Sequence, residues 1–354
     1  MNLRMNVKNY PHLISGFALT AALMGANAVN LLFNAYLGRV VTPEEFGIIA
    51  LINTFMYVSG MFYNALGAAA LFEVSRLEGL LNSPAAASFV SSLTSQVLKV
   101  NVAAAAIWAI LVPWTSAFFH IDNPLILYLF TPVLIFYPLV FIGRSYLQGK
   151  LFFALTGFLV LLEPVIKLLS AFFLIELNLH PQIYNAIYIS AFLSAIITIL
   201  IAWYYKPNSQ TQKTYSFPHK FFWAAFLTGV SSISFLAIDM VLVKHYLPPA
   251  EAGQYAFLAL LGKIIYFLGS LLNIFTITII SRETGNNKNT KISFYLLFAG
   301  SLTLCAIGVI ALGVFGQYFI PLIFGNRADS IIPYALPYVS SIALFTLGSI
   351  IVTY

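Results

Sequence analysis

Four charged residues lie inside long apolar runs of this 354-residue sequence, where an ionised side chain is costly. They are Glu163, Lys167, Asp239 and Lys263. A charge at the centre of a lipid bilayer costs roughly 3 kcal/mol or more, so each of these residues needs a partner or a function. Acids in such places can bind protons or cations, and lysines can bind phosphate. We therefore take these four residues as the first candidates for chemistry.

Glu163 and Lys167 occur together in the segment LLEPVIKLL. Their spacing of four places them on one face of a helix, where they can form an ion pair. Pro164 lies between them and frees a backbone carbonyl one turn earlier. Two interpretations stay open: a polar, kinked point that faces a cavity, or an ion couple that neutralises itself.

Asp239 and Lys263 belong to two later apolar runs. Asp239 is a candidate for coupling transport to protons or sodium, and the alternative is a structural acid paired with Lys263. Lys263 follows Gly262, which lets a neighbouring backbone approach. As a point charge, its ammonium suits the pyrophosphate of a lipid-linked sugar. It can instead pair with Asp239 or extend towards the membrane surface.

The first apolar run carries Asn27, Asn30 and Asn34, whose offsets of three and four place them on one helix face. Three amides facing lipid would be costly, so this face is expected to bind sugar hydroxyls or neighbouring helices. Arg39, at the outer end of this run, can attract an anionic head group or anchor its loop. Lys99, near the inner end of the third run, can contact substrate or lie among lipid head groups.

Motifs of soluble catalysis are missing from the sequence. It contains neither a G-x-x-x-x-G-K-[ST] phosphate loop nor a G-x-G-x-x-G turn, which argues against ATP hydrolysis by this chain. All five histidines fall in loops or near the ends of apolar runs, without carboxylates or cysteines at metal-ligand spacing. Cys305 is the single cysteine and can form no intrachain disulfide. We expect a protein that is not an enzyme and needs no cofactor and no metal.

Composition identifies the surroundings of these residues as lipid. Hydrophobic residues make up 60% of the chain and charged residues 8%, whereas soluble domains carry about 25% charged residues. Apolar runs of about 20 residues predict membrane-spanning helices. The net charge of +6 is typical of basic cytoplasmic loops rather than of a nucleic-acid partner.

The apolar runs predict an all-α polytopic membrane protein with about ten transmembrane helices. The predicted spans are residues 13–37, 46–70, 90–118, 124–143, 151–175, 183–205, 221–244, 253–280, 292–320 and 331–354. With the N-terminus placed inside, twelve Lys and Arg residues, Arg144 among them, fall on the inner side and three on the outer side. This asymmetry predicts a cytoplasmic N-terminus in the inner (cytoplasmic) membrane.

An internal repeat divides the chain into two parallel bundles. Shifting the sequence by 206 residues brings Pro43, Glu45 and Gly47 onto Pro249, Glu251 and Gly253, and Ser75-Arg76 onto Ser281-Arg282. A shift of six helices keeps the orientation of both units. We therefore predict a six-helix bundle at 1–205, a basic cytoplasmic linker at 206–220 and a four-helix bundle at 221–354. If the two units were equal, the second bundle would have two more helices, so we expect a truncated chain, with an unusually short member of its class as the alternative.

Three segments carry a family resemblance: YLGRVVTPEEFGIIALI, GRSYLQGKLFFALTGFLVLLEPVIKLLSAFFL and DMVLVKHYLPPAEAGQYAFLALLGKIIYF. They resemble the Wzx-like oligosaccharide-lipid flippases of the MOP exporter superfamily, which also contains the lipid II flippase and the MATE drug exporters. The resemblance implies two six-helix bundles around a central cavity that opens alternately to each side. It implies membrane lipids and a lipid-linked oligosaccharide as partners, with the glycosyltransferases and polymerase of the same pathway.

The sequence therefore favours a flippase that moves a polyprenyl-pyrophosphate-linked oligosaccharide across the cytoplasmic membrane for surface polysaccharide biosynthesis. Its candidate substrate contacts are Lys263, Lys167, Lys99, Arg39, Asn27, Asn30 and Asn34, and its candidate coupling residues are Asp239 and Glu163. One alternative is a MATE-like cation-coupled antiporter for drugs or metabolites that relies on the two acids. A membrane enzyme of glycan assembly is a third class, and it would need a large outer loop that this sequence lacks.

Overall fold

The computed structural model describes residues 11–179, 182–206, 217–270, 272 and 289–353, and within these residues the chain is helical and contains no β-strand. Twelve α-helices are described. They are α1 (Pro11–Val40), α2 (Pro43–Gly79), α3 (Ser83–Phe118), α4 (Leu125–Tyr128), α5 (Phe130–Gly149), α6 (Phe153–Glu176), α7 (Asn185–Tyr204), α8 (His219–Tyr246), α9 (Pro249–Ser270), α10 (Lys291–Val309), α11 (Gly316–Phe324) and α12 (Ile332–Thr353).

Nine stretches of the described chain are long and apolar enough to cross a bilayer, so the protein is a multi-pass membrane protein. The predicted span at 221–244 coincides with α8, which is not among these nine. The predicted span at 253–280 is described as helix only as far as Ser270. The repeat match at Ser281-Arg282 lies outside the described residues.

Several helices extend beyond their predicted spans. Helix α2 has 37 residues, which is about 55 Å against a hydrocarbon core of about 30 Å. Its start is fixed by a capping box, in which Thr42 N donates to Glu45 Oε2 at 2.8 Å and Glu45 N donates to Thr42 Oγ1 at 3.3 Å. Pro43 occupies the first helical position, where a missing N–H has no cost. Pro249 begins α9 in the same way.

The chain divides into two compact units. The first consists of residues up to Phe33 together with Ile52–Ala237, and the second of Asn34–Leu51 together with the residues from Ile238 onward. These boundaries differ from the division at 205 and 221 predicted from the sequence. The reason is that α1, α2 and α8 are long helices, and each contributes residues to both units.

In the first unit, α5 packs against α3, α6 and α7, and α6 packs against α7. Its main apolar core comes from α2, α3 and α5, with buried side chains such as Leu66, Phe89 and Tyr146. Many side chains on the remaining helix faces are apolar and exposed, as expected for helices that contact lipid. In the second unit, α9 packs against α10 and α12, and α10 packs against α12.

Candidate functional site

A polar cavity of about 200 Å³ lies inside the first unit. Five helices of that unit contribute to its wall. The lining side chains are Asn30 of α1; Asn53, Met56, Tyr57 and Asn64 of α2, beside Gly60; Tyr137 and Phe141 of α5; Glu163 and Lys167 of α6; and Ile187 and Ser190 of α7. Three of the residues predicted from the sequence, Asn30, Glu163 and Lys167, therefore share one cavity.

The carboxylate of Glu163 is held by α5 rather than by Lys167. Tyr137 Oη donates to Glu163 Oε1 at 2.6 Å, and Arg144 Nη2 donates to Glu163 Oε2 at 3.2 Å. Arg144 also donates to the carbonyl oxygen of Leu159 at 2.7 Å. The side chains of Arg144 and Glu163 are each 14% exposed. Of the two interpretations left open by the sequence, this geometry supports the polar point that faces a cavity.

In the sequence, Arg144 counts among the basic residues of the inner side and follows the predicted span 124–143 directly. Helix α5 continues to Gly149, beyond the predicted end of that span at residue 143. The residue therefore lies within a membrane helix, where the carboxylate of Glu163 compensates its charge. From sequence alone, an arginine near the end of an apolar run can lie in the helix or in the loop that follows it. The position of α6, which carries Glu163, shows that Arg144 belongs to the helix.

Lys167 lies in the same cavity without a carboxylate within 4.0 Å among the described ion pairs. Its ammonium lies 5.1 Å from the centre of the Phe33 ring, a cation–π distance. Because Arg144 balances Glu163, these three side chains in their ordinary protonation states carry one excess positive charge.

The three asparagines of α1 have different surroundings. Asn30 lines the cavity, and its Nδ2 donates to the carbonyl oxygen of Ala26 at 3.1 Å. Asn27 has an exposed side chain and is not part of the cavity wall. Asn34 falls within the second unit. One helix face thus meets different environments along a 30-residue helix.

Helix α2 supplies polar wall residues that the sequence analysis missed. Asn53, Tyr57, Gly60 and Asn64 follow one another at offsets of four, three and four, the spacing of a single helix face. A polar stripe of this kind within an otherwise apolar span is the signal that could have identified them. Asn64 Nδ2 donates to the carbonyl oxygen of Gly60 at 2.8 Å.

Asp239 and Lys263 belong to the second unit and do not line this cavity. The carboxylate of Asp239 accepts hydrogen bonds from Tyr255 Oη at 2.8 Å and from Tyr338 Oη at 2.9 Å. These bonds join α8 to α9 and α12. Lys263 lies on α9 of the same unit. Beside Lys263, Gly262 leaves room for the ring of Tyr338, since a Cβ at this glycine would lie 2.6 Å from that ring.

Two further candidates, Arg39 and Lys99, also lie outside the cavity. The Arg39 guanidinium donates to the carbonyl oxygens of Leu322 and Ile323, the latter at 3.1 Å, at the C-terminal end of α11. A cation at this end of a helix is favoured by the orphan carbonyls and the helix dipole. Lys99 is exposed on α3. Among the described residues, no group of three His, Cys, Asp or Glu side chains could hold a metal ion.

Solved structures with the same architecture exist although sequence comparison finds nothing: no family model and no curated protein matches the chain. The lipid II flippase MurJ, in an inward closed conformation, superposes with a TM-score of 0.72 at 17% identity, covering 95% of this chain and 74% of MurJ. An inward-facing multidrug resistance MATE family transporter of the MOP superfamily gives 0.64 at 12% identity, covering 96% and 87%. The chain has the fold of these transporters. This confirms the predicted fold class.

An outward-facing MATE family transporter of the same superfamily is also similar, with a TM-score of 0.54 at 13% identity over 96% of this chain and 84% of the other. The similarity therefore extends to solved structures of both lipid and drug transporters. At identities of 12–17% it establishes the fold alone.

Proposed function

We propose that this protein is a flippase that moves a polyprenyl-pyrophosphate-linked oligosaccharide from the inner to the outer leaflet of the cytoplasmic membrane. The observation that carries the proposal is the excess positive charge of Lys167 in a polar cavity within apolar helices. A positive charge kept in a membrane-spanning segment, at a cost of roughly 3 kcal/mol, is explained by an anionic ligand. The fold shared with a lipid flippase supports the same assignment.

In this proposal, the charged and the amide side chains of the cavity bind different parts of the substrate. The Lys167 ammonium replaces water around a phosphate oxygen. The amides of Asn30, Asn53 and Asn64 offer donors and acceptors to sugar hydroxyls. A cavity of about 200 Å³ lies below the range of roughly 300–1,000 Å³ for drug-sized ligands, so it receives one part of the head group at a time. Lys263 of the second unit is proposed separately as a contact for an anionic group.

The proposed setting follows from the charge distribution of the sequence. An N-terminus in the cytoplasm places most Lys and Arg residues on the inner side, where the substrate is loaded. Glycosyltransferases that complete the lipid-linked oligosaccharide, and a polymerase that consumes it, are the proposed functional partners. The protein itself makes and breaks no covalent bond in this scheme.

A second candidate function is cation-coupled export of drugs or metabolites. It is favoured by the fold shared with MATE transporters and by a carboxylate, Glu163, in the cavity. In that case Glu163, or Asp239 of the second unit, would exchange protons or sodium during transport. The antiporter predicts that loss of the Glu163 charge abolishes drug resistance that depends on a proton gradient.

The test is surface glycan display by cells that depend on this chain. Lys167→Met keeps the apolar stem of the side chain and removes the charge, so we expect export to fall about tenfold, the loss of one charge-assisted contact of roughly 1.5 kcal/mol. Membrane levels of the variant, measured by immunoblot, should stay unchanged. Lys99→Met is the matched control because Lys99 is exposed and lies outside the cavity.

Equal glycan display by the Lys167→Met and Lys99→Met variants would reject the flippase assignment. A second measurement separates the antiporter: drug resistance of cells carrying Glu163→Gln, with and without a proton gradient. Resistance that disappears with Glu163→Gln, together with unchanged glycan display for Lys167→Met, would favour the antiporter.

A further inference from the structure

An apolar groove of about 530 Å³ lies beside the polar cavity, between α5, α6 and α7 of the first unit. Its volume falls in the range of roughly 300–1,000 Å³ typical of small-molecule sites. Leu129, directly before α5, and Val133 and Phe136 of α5 form one side, and Ile189 and Phe192 of α7 form the other. The proposed function involves the polar cavity and not this groove.

Tyrosine rings form the inner wall of the groove, and their hydroxyls are bonded to protein groups. Tyr137 Oη donates to Glu163 Oε1 at 2.6 Å, and Tyr188 Oη donates to the carbonyl oxygen of Ile126 at 2.7 Å. Both residues are buried, with 9% and 7% exposure. Because each hydroxyl already has an acceptor, these residues present mainly ring carbon to the groove. This wall therefore suits a hydrocarbon ligand.

Two phenylalanines stand at the open side of the groove. The rings of Phe136 and Phe192 meet edge to face with their centres 5.8 Å apart. They are 38% and 44% exposed, on helices that cross the membrane. An apolar opening at this position faces acyl chains, so a lipid tail can enter sideways from the bilayer without passing through water.

Tyr137 lines both the groove and the polar cavity. The apolar groove and the cavity that contains Lys167 therefore share a wall residue. The ligand that fits both at once is a lipid with an anionic head. No separate hydrocarbon and no free sugar phosphate would match the pair.

We infer that this groove is the binding site for the first isoprene units of the substrate's polyprenyl chain, while the phosphate end occupies the polar cavity. The inference rests on the proposed flippase function, which supplies the polyprenyl identity of the tail. The groove lies at the end of α6 near Leu174 and at the start of α7 near Asn185. In the predicted topology this end faces the outer leaflet, so the groove holds the lipid at the release stage.

The test is photo-crosslinking of the full-length chain in phospholipid vesicles. A benzophenone amino acid replaces Phe192 at the groove or, as control, Phe172, which is 47% exposed on α6 and does not line the groove. The probe is a radiolabelled long-chain polyprenyl phosphate, compared with equally labelled phosphatidylcholine. We expect the ratio of polyprenyl to phosphatidylcholine labelling to be severalfold higher at position 192 than at position 172.

The second part of the crosslinking test uses substitutions that fill the groove. Ile189→Trp places a large ring in the groove, and Leu200→Trp is its control, because Leu200 is exposed on the same helix outside the groove. With the crosslinker at position 192, Ile189→Trp should lower polyprenyl labelling severalfold, and Leu200→Trp should leave it unchanged. Equal labelling ratios at positions 192 and 172 would mean that ordinary acyl chains fill the groove, and would overturn the inference.

The crosslinking ratio is measured at equilibrium and needs no transport. Equal labelling ratios at positions 192 and 172 would not affect the glycan-export test of Lys167. The groove assignment can therefore be rejected without rejecting the flippase function. Conversely, unchanged export by Lys167→Met would reject the function even if the groove retained polyprenyl phosphate.

Discussion

Gly47 of α2 and Gly253 of α9, which are equivalent positions of the sequence repeat, lie against each other in the second unit. A Cβ on Gly47 would lie 3.2 Å from the Cα of Gly253, and a Cβ on Gly253 would overlap the carbonyl oxygen of Pro43. The two helices therefore cross backbone to backbone near their first turns. Nearby, the rings of Phe46 and Phe257 stack with their centres 4.3 Å apart.

This contact predicts a strong penalty for a methyl group at the crossing. Gly253→Ala should lower the free energy of unfolding by roughly 1–3 kcal/mol, the usual cost of overpacking. The clash is with backbone, which cannot rotate away. Thermal unfolding of the purified protein in detergent provides the measurement. Gly348→Ala is the matched control, because nothing lies within 4 Å of its added Cβ. Equal midpoints for both variants would contradict the close crossing.

The ion pair between Arg144 and Glu163 predicts an asymmetric response to neutralisation. Arg144→Met leaves the Glu163 carboxylate in a membrane helix without its cation, and we expect a loss of roughly 3 kcal/mol of stability. Adding Glu163→Gln should restore much of it, because the amide can still accept the hydrogen bond from Tyr137. Thermal unfolding midpoints of the single and double variants test this. A double variant less stable than Arg144→Met alone would be incompatible with the pair.

The polar stripe of α2 predicts a functional effect separate from folding. Asn53→Leu removes an amide from the cavity wall, so under the proposed flippase function glycan export should fall about fivefold, the equivalent of one hydrogen bond of roughly 1 kcal/mol. Asn27→Leu is the control, since Asn27 is exposed and does not line the cavity. Glycan display is normalised to membrane protein level. If both leucine variants behaved alike, the α2 stripe would have no role in the substrate site.

The carboxylate of Asp239 predicts a structural contribution from its tyrosine donors. Tyr338→Phe removes one of two hydroxyl bonds to this carboxylate and should cost roughly 1.5–3 kcal/mol, the range for hydrogen bonds to charged groups. Tyr334→Phe serves for comparison because Tyr334 is 64% exposed on the same helix. Unfolding in detergent again gives the difference. Indistinguishable variants would show that the bond to Asp239 adds nothing to stability.

Arg39 predicts a smaller effect at the end of α11. Arg39→Gln should destabilise the protein by about 1 kcal/mol, because it removes the cation that binds the last carbonyls of that helix. Arg39→Lys should recover only part of the loss, since an ammonium cannot reproduce the fork of a guanidinium. A full rescue by lysine would indicate that charge alone matters at this position.

The sequence by itself determined the class and the architecture of this protein. With 8% charged residues the chain cannot cover a soluble surface, and its apolar runs are helices because lipid offers no partner to backbone groups. The repeat of Pro43, Glu45 and Gly47 had a local physical cause: the proline and the acid start a helix, and the glycine allows a close crossing. Such local causes can be recognised in a single segment.

Only the tertiary structure decided which polar residues act together. Lys167 is four residues from Glu163, yet the ion pair forms with Arg144 on α5. Asn27, Asn30 and Asn34 share a face of α1, yet only Asn30 enters the cavity. Spacing along one helix fixes the direction of a side chain, but its partners come from other helices. Their relative depth and rotation are set by packing across the whole bundle, and no short segment of sequence contains that information.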